Sequence, residues 1–400
     1  MRVLCLALTL ITVAPCVQAY SVLSHEAIID SVWDDSIKPI LLARFPAATP
    51  EDLTKAHGFA YGGAIIQDMG YYPFGSHQFS DLVHYFRSGD FILNEFAMAK
   101  EDNDLDEFAF SLGSLAHYAA DNEGHSIATN LVVPMTYKKI RRKFGKTATY
   151  EDNPRDHLRV EFSFDVAEIA ENHYAPDRYH AFIGFEVARP LLEKAFEQTY
   201  GVPLKNVVKD LGLALGSYRR TASSIVPELT RAAWQDKKKD LMKDVPGITK
   251  RRFIYDISRS SYEKEWGTTY SRPGFGARLL AIIIRFLPKI GPLSTLSFHA
   301  PTPAAQKLFE DSFVKSVTLY KEKLAVVRAG GDLQLPNMNF DTGKPSKFGE
   351  YHLADDSCSK LLIELGNRQP DPDLRTALLA YYGTAQPTDP KAVAVLAQLH

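Results

Sequence analysis

The chain has 400 residues, 46 Lys and Arg against 48 Asp and Glu, and 45% hydrophobic residues, enough to bury a large core. Its near-neutral, mixed-sign charge excludes a broad electrostatic footprint for nucleic acid, although a local groove can still be basic. Of the three cysteines, Cys5 and Cys16 fall in the first nineteen residues and Cys358 near the other end.

The amino-terminal segment carries Arg2 as its only charge, runs apolar from Val3 to Val13 and ends Val17-Gln18-Ala19. This pattern predicts a secretory signal cut after Ala19, a mature chain beginning at Tyr20, and a secreted or periplasmic protein. The apolar run is short for a retained membrane anchor. Lipidation at Cys16 is the other option, with Pro15 an awkward preceding residue. Cleavage leaves Cys358 as the one cysteine, so no internal disulfide forms and stability rests on core burial or bound metal.

Ser24 to Leu42 reads as a helix, with Ile28, Ile29, Val32, Trp33 and Ile37 at turn spacing, closed by Pro46 and Pro50. Residues 62–75, punctuated by Gly and Pro, read as a loop with a short helical turn before it. Asp106 to Asp121, continuing to His125, reads as a mostly buried helix, since Phe108, Phe110, Leu112, Leu115 and Tyr118 leave few polar positions. Further helices are expected at 156–170, 181–199, 206–235 and 302–328. The apolar run 277–298 is broken by Pro288 and Pro292 and carries Arg278, Arg285 and Lys289, so it is no transmembrane helix. It reads as a core helix followed by a turn, or as a helix lying on a lipid surface. The expectation is an all-α protein, with one large domain over 20–329 and a helical C-terminal appendage over 330–400.

Spacing singles out a few of the twelve histidines. His117 and Asp121 stand four apart, so their side chains share a helix face, and His125 falls near that face one turn on. His157 and Glu161 repeat the pattern. Two ligands four apart on a helix can converge on one zinc ion, held at about 2.0–2.2 Å by nitrogen and carboxylate oxygen. A single such pair is more often a local hydrogen bond, and two pairs with an added histidine leave the metal and structural readings evenly matched.

The stretch from Phe110 to His125 resembles the central helix of the zinc-dependent phospholipases C and the related single-strand-specific zinc nucleases. Gly62 to Asp68, followed by Ser80 to His84, is similar to their Asp-then-His element. The resemblance covers roughly Tyr20 to Glu161 and keeps the family's order. It implies up to three zinc ions. The first is held by the amino terminus and carbonyl of Tyr20 with His25, the second by Asp68, His84 and His117, with Asp121 bridging them. His125, His157 and Glu161 hold the third. The family usually has Trp where this chain has Tyr20, a tolerable swap because the ligating atoms are backbone. The step from Asp121 to His125 is two residues shorter than usual, which leaves a structural role open for His125. His57 and His77 are alternatives to His84.

Two zinc ions about 3.5–4 Å apart can share a hydroxide that attacks phosphorus, with Asp68 nominated by the resemblance as ligand and base together. The expected substrate is a phospholipid or another phosphodiester. The expected activity is a phospholipase C releasing diacylglycerol and a phosphorylated head group; membrane-surface contact through 277–298 is compatible with it and no stable nucleic-acid partner is expected. A nuclease or nucleotidase is the alternative, favoured by the five-residue step from Tyr20 to His25, with Tyr71, Tyr72 and Phe74 as stacking surfaces. A non-catalytic envelope protein with structural zinc is the third reading. The chain has no Gly-rich phosphate loop, no Gly-x-Ser-x-Gly elbow and no His-Glu-x-x-His helix.

Overall fold

The computed structural model describes residues 22–171, 185–220, 299 and 301–400. The predicted signal, Tyr20 and the 277–298 segment lie outside these residues. The described chain is helical with no strand, as expected.

The first predicted helix is two, α1 (Val22–Val32) and α2 (Lys38–Arg44), joined by a π turn at Trp33–Ile37. Helix α3 (Pro50–Ile65) starts at a capping box, in which Thr49 and Asp52 satisfy each other's backbone N–H, with Pro50 in the first turn where its missing donor does no harm. It runs into a 3-10 turn at Ile66–Tyr71, then α4 (His77–Tyr85) and α5 (Ser88–Asp102). Asp104 caps α6 (Leu105–Gly124), accepting from the N–H groups of Asp106 and Glu107. A second π turn, His125–Thr129, leads to α7 (Asn130–Thr136) and α8 (Lys138–Phe144). Then come α9 (Pro154–Glu171), α10 (Arg189–Tyr200), α11 (Leu204–Val207) and α12 (Leu211–Arg220). Helix α13 (Pro303–Arg328) is followed by an irregular stretch and by α14 (His352–Leu365), α15 (Pro372–Tyr382) and α16 (Pro390–Leu399).

Helix α6 is the axis of the molecule. Its apolar residues are buried nearly all round, with α3 on one side and α13 on another, where the Tyr320 hydroxyl donates to Leu112 O at 2.8 Å. Glycine sets how closely α3 and α6 approach. A Cβ on Gly63 would sit 1.9 Å from Phe110 O, and one on Gly113 would sit 2.0 Å from Ala60 O. Gly62 is equally confined, 1.7 Å from Glu186 O. The first glycines of the expected 62–75 loop are therefore the last turn of α3, and only the stretch after Tyr71 is irregular. Their absent side chains serve helix packing rather than a turn.

The 330–349 stretch is irregular, and it is tightly docked. Phe340 N donates to His84 O at 3.0 Å, the Ser88 hydroxyl donates to Met338 O at 2.7 Å, and Phe340 and Leu335 join the same core as α1 to α7. Helix α14 packs on α4, with Ser357 donating to Asp81. Cys358 is buried. No described helix is long and apolar enough to cross a membrane.

Candidate metal centre

Four elements point polar side chains into the interior at the ends of α3 and α6. Helix α1 brings His25, the 3-10 turn brings Asp68, α4 brings His84, and α6 brings His117 and Asp121. All are at most 2% exposed, which for ionisable groups demands compensation.

Asp121 is the hub. Its carboxylate lies 3.4 Å from His25 Nε2, 3.4 Å from His84 Nε2 and 3.3 Å from His117 Nε2. Asp68 lies 3.4 Å from His84 Nε2, and the Nε2 atoms of His84 and His117 face each other at 3.1 Å. These gaps to the carboxylates are too long for good N–H···O hydrogen bonds. They match the edge of a tetrahedron of ligands around zinc, about 3.3–3.4 Å for bonds of about 2.0–2.1 Å. Both oxygens of Asp121 and Oδ1 of Asp68 are buried without a hydrogen-bond donor. Two of the rings are oriented from behind: His84 Nδ1 bonds Ser80 O at 2.7 Å, and His117 Nδ1 bonds Ala64 O at 2.9 Å. A backbone carbonyl on Nδ1 fixes the tautomer that leaves Nε2 a bare lone pair for metal.

The charges follow the same plan. Burial draws His25 down to about 4. At His84 burial is outweighed by Asp121 and Asp68, which lift it to about 10. Against burial, His117 and its neighbours hold the Asp121 carboxyl well below its usual range. Histidine–carboxylate contact of this density suits a bound cation, and the donor set of imidazole and carboxylate suits zinc.

A second cluster adjoins the first. His125, opening the π turn, points Nε2 at Asp121 (3.7 Å) and Nδ1 at Asp341 (3.1 Å). A π turn at such a place fits its frequent use at functional sites. On α9, His157 Nδ1 meets Glu161 Oε1 at 2.6 Å, and His157 Nε2 lies 2.9 Å from Asn130 Oδ1 and 3.8 Å from Asp341 Oδ1. Among the described residues the groups able to hold an ion are His25, His117 and Asp121; Asp68, His84 and His117; and His125, His157 and Asp341. Seven of the nine residues nominated from the sequence fall in these groups, Glu161 bonds His157 from beside them, and Tyr20 lies outside the described residues. Asp341 was missed: it sits in an irregular turn with no helical spacing to mark it. His57 and His77 stand apart, His57 on Asp30 and the Trp33 ring, His77 against the edge of Tyr71. Tyr71 and Tyr72 are buried in packing, Tyr71 donating to Asp81, and only Phe74 of the aromatic trio is exposed.

A helical fold wrapped round buried histidine–carboxylate groups that fit zinc defines the class of protein this is. The family model described as zinc dependent phospholipase C matches residues 24–208, so over that span the chain is similar to this family. No curated protein and no solved structure matches.

Proposed function

We propose that the protein is a zinc-dependent phospholipase C that splits a phospholipid into diacylglycerol and a phosphorylated head group. The observation that carries this is the convergence of His25, Asp68, His84 and His117 on Asp121 at zinc-site spacing, in a chain similar to a family whose members are zinc-dependent phospholipases. His25, Asp68, His84, His117 and Asp121 would hold two ions with Asp121 shared, and His125 and His157 with a carboxylate would hold a third. Bound zinc supplies Lewis-acid stabilisation of phosphate charge and makes water acidic enough to attack near neutral pH.

The chain's own residues do the remaining work. Ser80 O and Ala64 O keep the His84 and His117 rings in their ligating tautomers. Asp68 Oδ1, buried without a donor, takes the proton released as water adds to phosphorus and returns it to the diacylglycerol oxygen as its bond to phosphorus breaks. Burial of the surrounding side chains keeps the site dry, so each charge acts more strongly than it would in water. Export with cleavage after Ala19 belongs to the same reading, because it frees the Tyr20 amine to join His25. The five-residue step from Tyr20 to His25 favours the nuclease alternative, while burial of Tyr71 and Tyr72 removes two of its three stacking surfaces.

The test uses the chain beginning at Tyr20, with zinc measured per molecule and phosphatidylcholine and single-stranded DNA assayed side by side, with and without chelator. Chelator-sensitive release of diacylglycerol supports the phospholipase reading. Nucleotide release alone moves the protein to the nucleases, and a chain without zinc overturns the reading altogether.

A further inference from the structure

The family match ends at residue 208, yet the second histidine cluster contains a carboxylate from far beyond it. We propose that Asp341 supplies the carboxylate ligand of the third metal ion, alongside His125 and His157, and that Glu161 acts from behind as the positioning residue of His157. This rests on the zinc reading of the site given above.

The two oxygens of Asp341 have different surroundings. Oδ2 is tied down, accepting from Tyr150 N at 2.8 Å and from the Tyr351 hydroxyl at 2.6 Å. Oδ1 is buried without a donor and faces both imidazoles, 3.1 Å from His125 Nδ1 and 3.8 Å from His157 Nε2. His125 Nδ1 is likewise buried without a hydrogen-bond partner. An anchored carboxylate with one bare oxygen aimed at two histidine nitrogens is the arrangement a monodentate ligand needs.

The backbone is anchored too. Asn130 Nδ2 donates to Asp341 O at 2.6 Å, which turns Asn130 Oδ1 toward His157 Nε2 and offers the ion a neutral oxygen as a fourth ligand. Asn339 Oδ1 closes the turn by accepting from Asp341 N and Thr342 N.

Glu161 has a different post. It meets His157 on Nδ1, at 2.6 Å, the ring nitrogen opposite the one that faces Asp341. A carboxylate on the far nitrogen of a ligating histidine fixes its tautomer and raises its basicity, and losing such a partner typically weakens metal binding 10–100-fold. With Asp341 as ligand, the third site is completed only when the 330–349 stretch is docked beside His84.

Zinc per chain and the affinity of the last zinc to bind, titrated against a competing chelator, separate the roles in the full chain from Tyr20. Asp341→Asn is expected to lose one zinc equivalent while keeping the others, and Glu161→Gln to keep the full complement with the last ion bound about 10–100-fold more weakly. Asp341→His, which restores a ligand, is expected to regain the lost equivalent; it also guards against misfolding, with circular dichroism of each variant as the check. Full occupancy at unchanged affinity in Asp341→Asn overturns the inference and leaves the two-ion reading intact. So does loss of the ion in Glu161→Gln but not in Asp341→Asn. Wild-type chain without zinc overturns the underlying reading instead.

Discussion

At the scale of single residues, burial decides which ionisable groups matter. Asp121 gathers four imidazoles within 3.7 Å and is the side chain on which both clusters depend. Glu95 on α5 is also wholly buried, but in the packing between α5 and α6 rather than in the centre. Burial pushes its carboxyl up from 4.5 to about 8, with the Ser114 hydroxyl opposing. The folded protein then holds a proton that the unfolded chain has released, so the stability tied to Glu95 is fullest below about 4.5 and is lost as pH rises through about 8. Glu95→Gln removes this titration while keeping the shape. Its unfolding free energy, read from the urea midpoint, is expected to match wild type at acid pH and to exceed it increasingly up to about 8, by up to about 1.4 kcal/mol per pH unit. A gap that stays constant across that range would show that Glu95 titrates normally. The candidate site was legible where helical periodicity places its residues: His117 with Asp121, and His157 with Glu161, stand one turn apart on a face that the apolar residues already defined. Asp341 was not legible. It reaches its cluster by long-range docking of an irregular turn, and no local spacing encodes that.

At the scale of elements, the contact of α3 with α6 determines the site's precision. The carbonyl that orients His117 belongs to Ala64 in the last turn of α3, directly after the two glycines that let the helices meet. The sequence showed the glycines but not their purpose, since a Gly-Gly pair before a Gly- and Pro-rich run reads as a turn until the partner helix is known. A methyl group on Gly63 would meet the Phe110 carbonyl at 1.9 Å, and backbone cannot yield as a flexible side chain can. Gly63→Ala is expected to destabilise by about 1–3 kcal/mol, read from the urea midpoint. It should also weaken zinc binding, because any separation of α3 from α6 moves Ala64 O away from His117 Nδ1. An alanine variant with unchanged midpoint and zinc affinity would show that the helix pair adjusts without strain. The helix boundaries at 303–328 and 154–171 fell close to expectation because their apolar periodicity is long and uninterrupted. The π turns at Trp33–Ile37 and His125–Thr129 did not announce themselves, since one extra residue in a turn leaves the apolar count almost unchanged.

At the scale of the whole molecule, the centre sits where α1, α3, α4, α6, α9 and the 330–349 stretch meet, so the ligands are also the points that join these parts. With no disulfide available to Cys358 among the described residues, the joining falls to the apolar core and to whatever neutralises the buried carboxylates. Asp68, Asp121 and Asp341 are each at most 2% exposed, and burying that much negative charge is costly unless cations meet it. Histidines meet part of it, but burial draws His25 down to about 4 and His157 to about 3, so neither carries charge near neutral pH. On the zinc reading, bound metal would supply the remaining counter-charge. A ligand that binds only the folded chain adds RT ln(1 + [L]/Kd), about 2.7 kcal/mol for each site at a free concentration of 100 Kd. Melting the protein in graded zinc buffers is therefore expected to raise the melting temperature steadily with free zinc, and chelator to lower it. Because the ligands come from elements on both sides of residue 208, the helices α14 to α16 should lose structure together with α1 to α7 in one transition, followed by limited proteolysis on each side of Phe340. A melting temperature indifferent to zinc, or a C-terminal part that survives after the rest has unfolded, would mean that the histidines and carboxylates are balanced without metal and that the core alone holds the two parts together.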